Sequence, residues 1–275
     1  MCLIVFAYRQ HPTYNLILVA NRDEQYARPT QSLHLWGSPA GIIAGRDSLH
    51  SGTWLGIARN GHFSAITNHR NGLHTASSNP SRGLLTTGFL SSSVSAHRYA
   101  SDVIQTTVPY DGFNLMVADS SGLFYASNVT NKCQQLSPGI FGISNAQLDT
   151  DWPKTRHQKQ RLAEIVQTPA PDPQTLIRMM ADPQRYPDKR LPDTHVGIEI
   201  ERALSSSFIK LEHYGTRATT VILQDYQGRT RIIEQNYDAT GAIEQIEFEL
   251  VIPPFGSLKN TAEPVTDSTG KAPIP

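Results

Sequence analysis

The chain is short of the features that usually fix a protein's class at once. It has two cysteines in 275 residues, Cys2 and Cys133, too few for a disulfide framework, and no secretory signal precedes Cys2, so both are expected as reduced thiols. No apolar run approaches the ~20 residues needed to span a bilayer, so no membrane span is expected. Lys plus Arg equals Asp plus Glu, at 24 each, which leaves no net charge to attract nucleic acid. There is no phosphate-binding loop, no GxSxG elbow and no GxGxxG turn. His62, His69 and His74 lack the helical HxxxH spacing or a CxxC partner, so no metal site is expected. Cys133-Gln134 has no following Pro and no CxxCH context, so no haem motif supports it. A soluble, cytoplasmic protein is expected, its oligomeric state open.

What is present begins at the second residue. Cys2 follows Met1 and opens the apolar run Leu3-Ile4-Val5-Phe6. If Met1 is removed, a thiol and an α-amine share one residue. An α-amine titrates near pH ~7.7–8.0 and can serve as a base at neutral pH, taking the thiol proton and activating sulfur as a nucleophile. The alternative is a small apolar residue starting a strand. A second run, Leu16-Ile17-Leu18-Val19-Ala20, ends in Asn21-Arg22-Asp23-Glu24. That cluster is either a solvated turn or a site. If residues 3–8 and 14–20 form an antiparallel hairpin, Arg22 and Asp23 approach Cys2, where a carboxylate could orient the amine and an arginine lower the thiol pKa.

Further along, Asn60-Gly61 between 53–58 and 62–67 predicts a hairpin with both turn residues at positive φ. Residues 75–80 read as loop. Leu85 and Phe89 mark a helix, and Tyr99, Val103 and Ile104 another. Strands are expected over 113–118 and 123–126, then a helix over 154–167 with Pro153 in its first turn. Ile209, Leu211 and His213 alternate with polar residues, as do Ile246, Phe248 and Leu250, which predicts strands; Gln227-Gly228 and Ala239-Thr240-Gly241 read as turns. Residues 1–252 are expected to form one domain, with 253–275 a disordered tail rich in Pro, Ser, Thr and Gly. Asn68, Asn145 and Arg217 lie in Asn-, Gly- and Arg-rich segments near strand ends. Each is either a turn or structural residue, or part of a site that holds an oxyanion.

Together these pieces resemble the NRDE family, also called the transport and Golgi organisation protein 2 family. The matching residues are Met1-Cys2-Leu3-Ile4, Asn21-Arg22-Asp23-Glu24, Gly45-Arg46-Asp47, Gly52-Thr53-Trp54-Leu55-Gly56, Thr67-Asn68 and Ser81-Arg82-Gly83. Gly112-Phe113-Asn114-Leu115, Ser144-Asn145-Ala146, Trp152-Pro153-Lys154 and Tyr214-Gly215-Thr216-Arg217 follow in family order. Ser51 departs from the pattern by standing where a glycine is expected. The resemblance implies an α+β fold, the four-layer αββα sandwich of N-terminal nucleophile (Ntn) hydrolases. The motif order is also similar to that of cysteine Ntn amidases. By that likeness Cys2 is the nucleophile, Asp23 sits near its amine, Asn68 and Asn145 are oxyanion or substrate contacts, and Arg217 is the late arginine of the site. Asn21, Arg22 and Glu24 are then ligand-binding residues. The amidase arginine precedes the Asn, whereas here Ala20 holds that place and Arg22 follows.

The expected activity is hydrolysis of a non-peptide C–N amide or an acyl thioester, with no cofactor required. The family's links to haem trafficking and to acyl-coenzyme A or lipid handling imply a rival: a non-catalytic carrier, with haem as one possible ligand. A structural or interaction protein on the same scaffold is a third reading. Specificity is expected in the loops 72–80 and 182–195, the latter a lid or an exposed loop.

Overall fold

The computed structural model describes residues 2–39, 41–73 and 78–258. A first sheet contains β1 (Cys2–Tyr8), β2 (Tyr14–Gln25), β10 (Gly139–Ile143), β11 (Tyr214–Asp225), β12 (Arg229–Tyr237) and β13 (Ala242–Val251), in the order β10-β1-β2-β11-β12-β13. The second runs in chain order through β3 (Thr30–Leu35), β4 (Ile42–Asp47), β5 (Leu55–Ala58), β6 (Phe63–Asn68), β7 (Phe113–Asp119), β8 (Gly122–Ser127) and β9 (Lys132–Gln135). Helices α1 (Gly83–Ser91) and α2 (Ala96–Gln105) cover the second sheet; α3 (Pro153–Val166) and α4 (Pro173–Met180) cover the first, and a short α5 (Ile198–Ala203) precedes β11.

Alternation explains the layering. On β1, Ile4 and Phe6 join the core between the sheets with Leu18, Ile57, Phe63 and Met116. Leu3 and Val5 point the other way, onto Leu162, Val166 and Met180 of α3 and α4. Because both faces are buried, β1 reads as an unbroken apolar run rather than an alternating one. On the far side, Leu85 and Phe89 of α1 and Val103 of α2 pack on Ile66, Leu115 and Val117. Each such fully buried side chain contributes about 1.5–3 kcal/mol. The product is the four-layer αββα sandwich that the resemblance implies.

Several local expectations are met, and others are corrected. The 60–61 hairpin forms, but only Gly61 has positive φ; Asn60 instead donates its side-chain amide to the carbonyls of Leu90 and Ser92, an anchor that a different turn type permits. Residues 209–213 are not a strand. There the backbone folds back on Thr216, whose hydroxyl oxygen and N–H engage Ile209, and only Lys210 makes a bridge. Packing also continues past 252: Phe255 is 1% exposed in the inter-sheet core. Residues 259–275 of the expected tail, and 74–77 of the expected loop, lie outside the described residues. Among the described residues no helix is long and apolar enough to cross a membrane.

Candidate active site

The site forms where β1 begins. Antiparallel pairing sets Cys2 opposite Arg22 and Ile4 opposite Ala20. Arg22 and Ala20 therefore share the inter-sheet face, with Arg22 two cross-strand pairs nearer the strand end. The charged cluster is not a turn: β2 continues to Gln25, because β11 pairs along its other edge, with Asp23 opposite Thr216. Asp23 and Arg22 are consequently buried, at 1% and 6% exposure.

A cavity of about 350 Å³ opens here between the sheet ends. The first sheet contributes Cys2, Arg22, Asp23 and Glu24, and the second contributes Trp54, Ile66 and Asn68. The start of α1 closes the remaining wall with Ser81, Arg82 and Gly83. That wall depends on a backbone joint: a Cβ on Gly52 would meet the Gly83 carbonyl carbon at 2.7 Å, and the Thr53 N–H donates to the Gly83 carbonyl at 3.3 Å. At the rim Arg28 pairs with Asp47 at 2.6 Å.

Charge in the cavity is unevenly settled. The Arg22 guanidinium lies 4.2 Å from the centre of the Trp54 ring, a cation–π contact. Its Nη1 is buried without a hydrogen-bond partner among the described residues. Burial pushes its pKa down. Burial likewise pushes the Cys2 thiol up; the ammonium at the chain terminus and Arg22 pull it back, while Asp23 and Glu24 add to the rise. The Asp23 carboxyl is also raised by burial, against the pull of the terminal ammonium, Lys154, the Thr216 hydroxyl and Arg22. That hydroxyl donates to Asp23 Oδ1 at 2.7 Å.

Of the residues singled out from sequence, Cys2, Arg22, Asp23, Glu24 and Asn68 line one cavity. Asn145, Asn21 and Arg217 have other places. Asn145 is fully buried behind the wall, donating to the Asn68 carbonyl at 2.8 Å and so fixing the end of β6. Asn21 faces the helices and donates to the carbonyls of Met180 and Ser207, while its own oxygen accepts from Thr219. Arg217 spends its guanidinium on the carbonyls of Gln25, Tyr26 and Tyr237, clamping the strand end outside the cavity. Trp54, Arg82 and Lys154 were not assigned roles from sequence. Lys154 carried one signal: a lysine directly after a proline that starts a helix, against the helix dipole.

Comparison with known proteins identifies relatives over most of the chain. Transport and Golgi organization protein 2 homolog from Bos taurus is 33% identical over 257 residues, covering 86% of this chain and 93% of its own length. The Homo sapiens homolog matches to the same extent. The Drosophila melanogaster protein is 26% identical over 261 residues, covering 86% and 92%. Two solved structures are similar in chain path at low identity. A Caenorhabditis elegans N-acylethanolamine-hydrolyzing acid amidase ortholog has 9% identity and a TM-score of 0.45, covering 81% of this chain and 92% of that one. A mutant conjugated bile acid hydrolase from Clostridium perfringens has 8% identity and a TM-score of 0.48, covering 92% and 98%. The model of the Transport and Golgi organisation 2 family matches residues 1–239, and the chain belongs to that family.

Proposed function

We propose that the chain is a cysteine Ntn-type hydrolase of a non-peptide C–N amide or an acyl thioester. The observation that carries this is the pairing of Cys2 with Arg22 at the mouth of a cavity, with the buried Asp23 next along the strand. With Met1 removed, the α-amine takes the thiol proton as sulfur attacks the carbonyl carbon. The resulting oxyanion is held by Asn68 and backbone N–H groups, a contribution of about 3–4 kcal/mol per donor. Collapse breaks the C–N or C–S bond, and the leaving group departs with the proton from the ammonium. Water, deprotonated by the same amine, then attacks the acyl-enzyme and releases the acid and the free thiol. Arg22 suits this course: a buried guanidinium lacking a hydrogen-bonded anion is best matched by negative charge that develops at sulfur or the carbonyl oxygen. The lining mixes Arg22, Arg28, Arg82 and His50 with Asp23, Glu24, Asp47 and Asp111, so its charge does not single out an anionic ligand such as haem.

The test has two parts. Intact mass of the protein from its own host is expected to lack Met1, and Cys2→Ala is expected to abolish turnover of an amide or thioester panel while retaining its circular dichroism spectrum. Undiminished turnover in that variant, or Met1 fully retained in active protein, would sink the mechanism.

A further inference from the structure

Lys154 is the second residue of α3, one place behind Pro153. Little about that place suits a lysine. The helix N-terminus already carries partial positive charge, the side chain is 3% exposed, and lysines are rarely buried without a counter-charge. Its ammonium donates to the Leu204 carbonyl at 2.9 Å, and one carbonyl dipole does not balance a buried charge.

The arrangement around it says what does. Three side chains converge on the stretch 204–207. Lys154 reaches Leu204, Gln158 (one turn along α3) donates to the Ser207 hydroxyl at 2.9 Å, and Asn21 of β2 donates to the Ser207 carbonyl at 2.8 Å. This stretch therefore seals the helix side of β2 over both Lys154 and the Asn21–Asp23 end. Its approach is pinned by a buried pair, Arg70 to Glu201 at 2.6 Å. The charged groups acting on Lys154 are Asp23 and Cys2 from the sheet, Arg70 from the loop after β6, and Glu201 from α5. Asn21 and Asp23, two apart on β2, face the same side of the sheet. The 204–207 stretch held by both Lys154 and Asn21 therefore sets the ammonium on the Asp23 side without a direct ion pair, and the two charges act on each other there. Lys154 does not line the cavity.

Resting on the reading of Cys2 as the nucleophile, we propose that Lys154 is a positioning residue whose ammonium balances the Asp23 carboxylate. Asp23 can then orient the amine at Cys2 without its negative charge keeping the thiol protonated. Burial brings the Lys154 pKa down to about 8, so the balancing charge is present at neutral pH and is lost as pH rises through that value.

The experiment is alkylation of Cys2 by iodoacetamide, followed on the Cys2 peptide by mass spectrometry from about pH 6.5 to about pH 9.5, a range spanning thiol titration. Wild type, Lys154→Met and Lys154→Arg are compared. At about pH 7.5 the Met variant is expected to react about three- to tenfold more slowly, since one pKa unit is tenfold in thiolate fraction. The Arg variant is expected to stay within about twofold of wild type near neutrality and to outpace it above about pH 8, where the wild type loses its ammonium and arginine does not. A lysine that merely props up Leu204 would lower the melting temperature of the Met variant and leave its alkylation profile unchanged. That result, in a folded Met variant, overturns the proposal. If the Met variant does not fold, the Arg variant decides, and a profile superimposable on wild type overturns it. Alkylation needs no substrate, so failure to find any turnover would count against the hydrolase and not against Lys154.

Discussion

The two ends of the β1–β2 pair are built from similar materials and finished differently. At the Tyr8 end, buried polar groups close on one another. The Tyr8 hydroxyl and the Asn15 amide both donate to the Phe255 carbonyl, the Phe255 N–H donates to Gln224, and Gln224 donates to Thr230. At the Cys2 end, the buried Arg22 makes no such bond at Nη1 among the described residues, and burial displaces the pKa values of three charge-bearing groups, Asp23, Glu234 and Lys154, where at the other end it raises that of the Tyr8 phenol. A satisfied network is what a fold needs to be stable; a cation without its hydrogen bonds is tolerated where it serves something other than stability. The contrast distinguishes the closed Tyr8 end from the Cys2 end proposed as the working one.

Four substitutions test that separation, and the largest effect belongs to the working end. Cys2→Ala should lower turnover by about 10⁴-fold or more, as loss of a nucleophile does, with a melting temperature near wild type. A large loss of stability would mean that Cys2 serves packing instead. Phe255→Ala should do the reverse, costing about 3–5 kcal/mol by emptying a core site while Cys2 alkylation keeps its rate in the still-folded fraction. Urea unfolding measures the first quantity, and a cost below about 1 kcal/mol would show that the Tyr8 end is not the anchor. Arg22→Met should change stability by less than about 2 kcal/mol, because relief of a buried charge with an unbonded Nη1 is offset by loss of the Trp54 cation–π contact and of a counter-charge to Asp23, yet it should impair catalysis. A strongly destabilised Arg22→Met would place Arg22 with the structural groups.

The smallest effect concerns pH. Burial raises the Glu234 carboxyl, against the pull of the Leu33 N–H and the Thr220 hydroxyl. A carboxyl raised in the folded state binds its proton more tightly there than in the unfolded chain. Stability therefore falls as pH climbs from the ordinary carboxylate range through the raised value. Glu234→Gln should flatten that slope, gaining on wild type as pH rises above the ordinary carboxylate range. Parallel stability curves for the two proteins would remove Glu234 from the set of groups strained by burial.

How much of this was legible depended on the range of each interaction. The β1–β2 hairpin and the approach of Arg22 and Asp23 to Cys2 could be read because strand period and chain order fix them locally. That Asn21–Glu24 would be strand rather than turn could not, since it depends on β11 arriving from about 190 residues away to pair along the free edge. Sequence separation also hides the setting of Lys154, whose hydrogen-bond partner Leu204 lies 50 residues on. Asn145 and Arg217 were found as polar residues near strand ends, but only the folded chain shows which backbone carbonyls they hold. Ile209 to His213 has a strand's alternation and lacks a strand's partner. Phe255 sits in a segment whose composition favours disorder, and it is retained by an apolar gap at the sheet ends that composition does not reveal.

The joint between Gly52 and Gly83 has a consequence for how this scaffold diversifies. Backbone touches backbone there, so Gly52 accepts not even a methyl group unless α1 moves outward, while one on Gly83 would press on the Thr53 backbone at 3.1 Å. The base of that wall is thus set by backbone, so a change in the cavity's width has to come from side chains around it, Arg82 on the same wall and Arg28, Asp47 and His50 elsewhere in the lining.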